Sequence, residues 1–204
     1  MKKFFRNNGL SIVFLLLFFI ALVGQAVTGL KEHNGEMEEE GGQQLGMAQY
    51  LTSGHFLQAT FENWESEFLQ MALFVTLSIS LFQKGSSESK DPDAEEEVDR
   101  KPDPSKEDAP WPVKRGGWVL NLYSHSLCYT LWTLFVISFL MHWRGSLMNY
   151  NEEQVLKGAP TDSYIQYLGN SRFWFESFQN WQSEYLSVFA VIVLTIFLRE
   201  KGSP

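Results

Sequence analysis

The sequence holds one cysteine, Cys128, in 204 residues. An intramolecular disulfide needs two and a multi-cysteine metal site needs more, so both are excluded. Basic residues are scarce: Lys and Arg number 16 against 24 Asp and Glu, for a formal charge of −8. Without a basic surplus the chain cannot cover a phosphate backbone, which removes nucleic acid as a partner. The four histidines, His33, His55, His125 and His142, are scattered, with no pair at zinc-ligand spacing. A Ser-centred nucleophile elbow and a Gly-rich phosphate loop are also missing. The expectation is a protein that is not an enzyme, with no cofactor and no bound metal. Cys128 falls in an apolar run and reads as an inert small hydrophobe. The acidic stretch Glu36, Glu38, Glu39, Glu40 with Gly41-Gly42 lacks the alternating ligands of an EF-hand loop. It reads as a solvated turn.

What the sequence does have is segregation of apolar from charged residues. Residues 10–27 form an uncharged run of 18, long enough to span a bilayer. Residues 119–143 hold no Asp, Glu, Lys or Arg. Two shorter uncharged runs follow, 68–82 and 185–198. Trp64, Trp118, Trp132, Trp143 and Trp181 mostly sit at the ends of these runs, as an interfacial belt would. Residues 88–117 are rich in Pro and charge with little to bury. They read as an acidic disordered linker.

Shifted by 117 positions, the sequence matches itself without a gap. Tyr50, Leu51, Phe56, Phe61, Asn63, Trp64, Ser66, Glu67 and Leu69 recur as Tyr167, Leu168, Phe173, Phe178, Asn180, Trp181, Ser183, Glu184 and Leu186. Asn34 and Glu36 recur as Asn151 and Glu153, and Lys84-Gly85-Ser86 as Lys201-Gly202-Ser203. Residues 1–87 and 118–204 are thus expected to be two tandem membrane repeats, each helix, loop, helix. An even number of spans per repeat gives both the same orientation, so the repeats are parallel. The predicted fold is an all-α integral membrane protein with four transmembrane helices. Twelve of the 16 Lys and Arg lie at the termini and on the linker side, Lys84 to Arg115, which predicts both termini and the linker on the cytoplasmic side. The N-terminus also resembles a cleavable signal peptide, but cleavage would leave three helices and break the symmetry.

The short runs carry the sharpest expectation. Fourteen or fifteen residues rise only about 21–23 Å, against a hydrocarbon core of about 30 Å. To span, these helices must recruit Asn63, Ser66 and Glu67, or Asn180, Ser183 and Glu184, from their outer ends. Gln25 and its counterpart His142 fall at the same depth. The expected polar layer is therefore Gln25, Glu67, His142 and Glu184, with Asn63, Asn180, Ser66, Ser183 and Arg144 beside it. It reads either as helix–helix glue or as a cation or proton site, because two close carboxylates resist ionising together. Before each short run, Thr52/Ser53 and Asn170/Ser171 are helix-cap residues. Aromatics follow at helical spacing, notably Phe61, Trp64, Phe178 and Trp181. They read as anchors of an amphipathic segment at the outer interface.

The RNNGLS near the N-terminus, the GQAVTG at residues 24–29 and the twice-used F-x-N-W-x-S-E (61–67 and 178–184) carry a resemblance. They resemble an uncharacterised family of small bacterial multi-pass membrane proteins, a domain of unknown function. The resemblance spans nearly the whole chain apart from the linker and implies a bacterial inner-membrane location. It brings no catalytic residues. The function expected is structural or interaction-type, with the lipid bilayer, a second copy or a membrane protein as partner. The rival is a small cation- or proton-coupled transporter or channel-like protein using the Glu/His/Gln layer.

Overall fold

The computed structural model describes residues 2–202, so Ser203 of the recurring Lys-Gly-Ser lies outside the described residues. The described chain is helical, without strands. In order it runs α1 (Lys2–Glu40), α2 (Met47–Tyr50), α3 (Gly54–Leu77), a 3-10 turn (Glu97–Asp99), α4 (Trp111–Arg115), α5 (Gly117–Ser124), α6 (Ser126–Leu156), α7 (Tyr164–Tyr167) and α8 (Ser171–Phe197). Three of these helices are long and apolar enough to cross a membrane: α1, α6 and α8. Almost none of the apolar stretch of α1 is buried, and none of that of α8. Leu10, Phe14, Leu17 and Ile20 of α1 are all exposed, as are Phe189 and Leu194 of α8.

Three boundaries differ from those read in the sequence. Helix α1 runs well past residue 27, because the following segment through Glu40 is free of Pro and rich in Glu, a strong helix former. Gly41 stops it with φ of 74°, and the Gly42 N–H closes back on the Met37 carbonyl at 2.7 Å. This left-handed cap favours glycine. It occurs again 117 residues later: Gly158 has φ of 66°, and Ala159 N–H donates to Gln154 O at 2.8 Å. The apolar run 119–143 is two helices, broken at His125. There the Ser126 hydroxyl donates to Tyr123 O at 2.7 Å, the kind of local bond that competes with helix propagation. The run 68–82 leaves the helix at Leu77, where Ser78 bonds back to Val75 O at 3.1 Å. Helix α3 keeps Glu62, Glu65 and Glu67 and loses the last residues of its apolar run. It is not among the helices apolar enough to span.

The chain divides into two compact units, Met1–Phe61 with Met141–Asn170, and Glu62–Leu140 with Ser171–Pro204. In the first, two asparagines clamp the loops that follow α1 and α6. Asn34 accepts from Leu45 N–H at 2.7 Å and donates to Leu45 O at 2.9 Å. Asn151 does the same to Asp162, at 2.8 and 2.9 Å. Each clamp sets up a short helix whose first residues are tied by a glutamine: Gly46 N–H to Gln49 at 3.0 Å, Ser163 N–H to Gln166 at 2.8 Å. Each short helix ends on a tyrosine, Tyr50 or Tyr167, that is essentially fully buried. Helices α3 and α6 approach at glycines. A Cβ at Gly145 would stand 2.5 Å from the Gln58 backbone nitrogen, and one at Gly54 would meet the Asn149 nitrogen. Small residues at a crossing let two backbones come this close.

In the second unit the buried stripe of α3 is Glu65, Ser66, Leu69 and Ala72. Thr76 continues it, receiving Trp132 Nε1–H at 3.2 Å and lying 3.8 Å from the Cys128 sulfur. Between α3 and α4 the only regular structure among the described residues is the 3-10 turn. Exposed ion pairs, Lys84–Asp93 at 2.6 Å and Lys90–Asp99 at 2.8 Å, cross this segment.

Candidate functional site

The first unit gathers most of its ionisable groups where α1 and α6 end. On α1, His33, Glu36, Met37 and Glu40 recur at helical spacing and share a face. The clamp of Asn34 on Leu45 turns the chain back, so that Tyr50 from α2 and His55 from the first turn of α3 meet His33. The ring centroids lie 5.3 Å apart for His33 and His55 and 5.9 Å apart for His33 and Tyr50. The Tyr50 hydroxyl and His55 Nδ1 share a hydrogen bond of 3.0 Å. The Tyr50 hydroxyl also fills the space over Gly29, where a Cβ would collide with it. The corresponding tyrosine of the second loop, Tyr167, instead bonds the Ser146 hydroxyl at 2.6 Å. Residue 146 is the position that answers to Gly29 at the 117-residue offset.

Burial dominates the electrostatics of this cluster. It pushes the Tyr50 phenol up to about 12, helped by the Glu32 and Glu36 carboxylates. Burial also lowers His55, and so does the neighbouring His33. Glu36, Glu32 and Glu152 pull it the other way. Both groups are therefore neutral at physiological pH. His33 is buried too, and its Nε2 is enclosed without a hydrogen-bond partner.

Beside His33 opens a cavity of about 220 Å³. Glu36, Met37, Glu39 and Glu40 of α1 line it from one side, and Asn149, Glu152 and Glu153 of α6 from the other. Asn149 is held by Gln58 at 2.9 Å and reaches Glu153 at 3.4 Å. Lys157 pairs with Glu153 at 3.6 Å.

The residues expected to form a polar layer are placed as follows. Gln25 and His142 belong to the first unit. Gln25 donates to Thr60 Oγ1 at 3.2 Å, and His142 is fully buried. In the second unit Glu67 lies close enough to Glu184 to act on it electrostatically. Ser66 is buried but turns its hydroxyl to the Asn63 carbonyl of its own helix, at 2.8 Å. Asn180 likewise donates to Glu176 O at 3.0 Å. Asn63 and Ser183 are exposed. Of the interfacial aromatics, Phe61 and Trp64 are half-buried and Phe178 is exposed, its ring edge-on to Trp181 at 5.4 Å.

Two groups of acids escaped the sequence reading. Glu65 is fully buried and accepts from Trp181 Nε1–H at 2.9 Å. In the same unit the Glu62 and Glu176 carboxylates come within 4.8 Å of one another, and Arg172 holds Glu176 at 3.0 Å. The acidic end of α1, read as a solvated turn, is helical through Glu40 and lines the cavity. Its signal was present in the run 31–40, which has no helix breaker except Gly35.

A family profile described as a domain of unknown function (DUF6766) matches residues 1–204. No curated protein and no solved structure matches the chain.

Proposed function

We propose, from the premise that the chain belongs to the DUF6766 family, that it is a multi-pass membrane protein acting as a structural or interaction component and not as an enzyme. The observation that carries this reading is the exposed apolar surface of α1, α6 and α8. In water, apolar area costs about 25 cal/mol per Å², and patches of this extent on a soluble protein are rare. In a bilayer the same side chains face their proper solvent.

The finer reading is two tandem repeats, 1–87 and 118–204, with α3 as a fourth span and residues 88–117 as a cytoplasmic linker. The paired glycine caps, asparagine clamps and buried tyrosines, all 117 residues apart, support the duplication. Helix α3 has 24 residues and rises about 36 Å, enough in length to cross. The larger share of Lys and Arg at the termini and on the linker side supports both termini and the linker on the cytoplasmic side, and the bilayer we propose is a bacterial inner membrane.

Topology mapping tests this. In a Cys128→Ser background, Gln43→Cys and Thr161→Cys are expected to react with an impermeant thiol reagent in intact cells. Ser89→Cys is expected to react only after permeabilisation. Labelling of all three from one side would sink the four-span arrangement.

A second reading, cation or proton coupling, draws on the proximity of Glu67 and Glu184 and on the burial of Glu65. Ion uptake into proteoliposomes that is lost in Glu67→Gln would displace the structural reading.

A further inference from the structure

We infer that the cavity between the ends of α1 and α6 is a binding site for a divalent transition-metal cation of the Mn²⁺ or Zn²⁺ class, with His33, Glu36 and Glu152 as its central ligands. This goes beyond the membrane reading and does not depend on it, because every group involved lies within one compact unit.

The first observation is misplaced negative charge. The C-terminal end of a helix carries about half a negative charge and favours cationic side chains. Helix α1 ends in Glu38-Glu39-Glu40 and α6 carries Glu152 and Glu153 near its end, with no basic residue in the last turn of either. Five carboxylates line one cavity of about 220 Å³. Lys157 offsets Glu153, but Glu36, Glu39, Glu40 and Glu152 take part in no ion pair among the described residues. A chain of net charge −8 gains nothing from such crowding unless a cation relieves it.

The second observation is His33. It lines the same cavity, it is 1% exposed, and its Nε2 has no hydrogen-bond partner. A buried imidazole nitrogen without a partner is costly. A metal ion is a partner that satisfies both the nitrogen and the carboxylates. His33 and Glu36 stand three apart on one helix, as do Asn149 and Glu152 on the other. Such i, i+3 pairs present two ligands to one ion in helical metal proteins. The ligand atoms of His33, Glu36 and Glu152 do not all lie within 4.8 Å of one another, so the carboxylates must turn inward to close on an ion. The donor set fixes the class. Carboxylates alone would suit Ca²⁺ or Mg²⁺, whereas an imidazole among carboxylates suits Mn²⁺, Zn²⁺ and their neighbours. The acids of α1 are exposed and free to swing onto an ion, while Asn149 is held in place by Gln58.

The experiment uses the full chain in detergent, titrated with MnCl₂ while the free Mn²⁺ signal is followed by electron paramagnetic resonance, then with ZnCl₂ as competitor. One saturable site per chain is expected, and Zn²⁺ should displace the Mn²⁺. The Glu36→Gln/Glu152→Gln variant changes no buried packing and should bind about tenfold more weakly or worse. Bound Mn²⁺ should show hyperfine coupling to an imidazole nitrogen that disappears in His33→Gln. Should His33→Gln fail to fold, the carboxylate variant decides alone. Absence of saturable binding, or binding unchanged in Glu36→Gln/Glu152→Gln, overturns the site. Binding with no nitrogen coupling in the wild type overturns the role of His33 and the choice of metal class.

Discussion

At the scale of single residues, the two clamping asparagines do the most with the fewest atoms. Asn34 and Asn151 each satisfy both the N–H and the C=O of one loop residue, using both ends of one amide. A net hydrogen bond stabilises by about 0.5–1.5 kcal/mol, and leaving part-buried backbone groups unpaired costs more. Asn34→Ala is expected to lower stability by about 1–3 kcal/mol, read as thermal unfolding in detergent. Asn34→Asp keeps the acceptor, loses the donor and should fall between the two. An unchanged transition in Asn34→Ala would mean that the clamp is incidental. The pairing of Asn34 with Asn151 was legible in the sequence as a match at one offset, but its purpose was not. Nothing local to Asn34 marks Leu45 as its partner. The meeting of His33, Tyr50 and His55 was equally hidden, since it exists only once that clamp has turned the chain. Glu65 was obscured by its neighbours. With Glu62 and Glu67 beside it, and Phe61 and Trp64 marking an interfacial aromatic face, nothing in the sequence set Glu65 apart as a packed residue. The buried stripe runs instead through Glu65, Ser66, Leu69 and Ala72.

At the scale of elements, length and termination decide what each helix can do. The apolar core of α1 was plain in the sequence because a spanning segment tolerates almost no polar residue. Its extension to Glu40 was not, because glutamate-rich stretches serve equally as solvated loops. The break at His125 was masked by an unbroken hydropathy run, which reports solvent preference and not backbone hydrogen bonding. The contact of α3 with α6 rests on glycine. Gly145→Leu would drive a side chain into the backbone at Leu57 and Gln58, where even a Cβ stands 2.5–2.8 Å from its neighbours. Overpacking of this kind costs about 1–3 kcal/mol. A lowered unfolding temperature is expected, and Gly24→Leu serves as the control, since a Cβ there meets nothing within 4 Å. Equal effects at the two positions would refute the close approach.

For the molecule as a whole, the question is which solvent it was built for. An average over the composition conceals the answer, because the acidic residues of 88–117 and of the α1 end offset the apolar helices. Taken segment by segment, helices apolar enough to cross a membrane alternate with charged stretches suited to water. Alkaline carbonate washing of membranes is accordingly expected to leave the protein in the pellet. Release into the supernatant would overturn the membrane reading. The all-helical class, with helices long and apolar enough to cross a membrane, followed from the sequence because this alternation is coarse. The candidate cation site did not follow, because its ligands come from two helices more than a hundred residues apart in the chain.

The single cysteine has a practical consequence. Cys128 rests against Thr76, which also takes the Trp132 hydrogen bond, so its thiol is partly covered where α3 and α6 meet. The unaltered protein thus carries one chemical clock at one helix contact. Its alkylation rate will rise when that contact loosens, in native membranes and without an introduced cysteine.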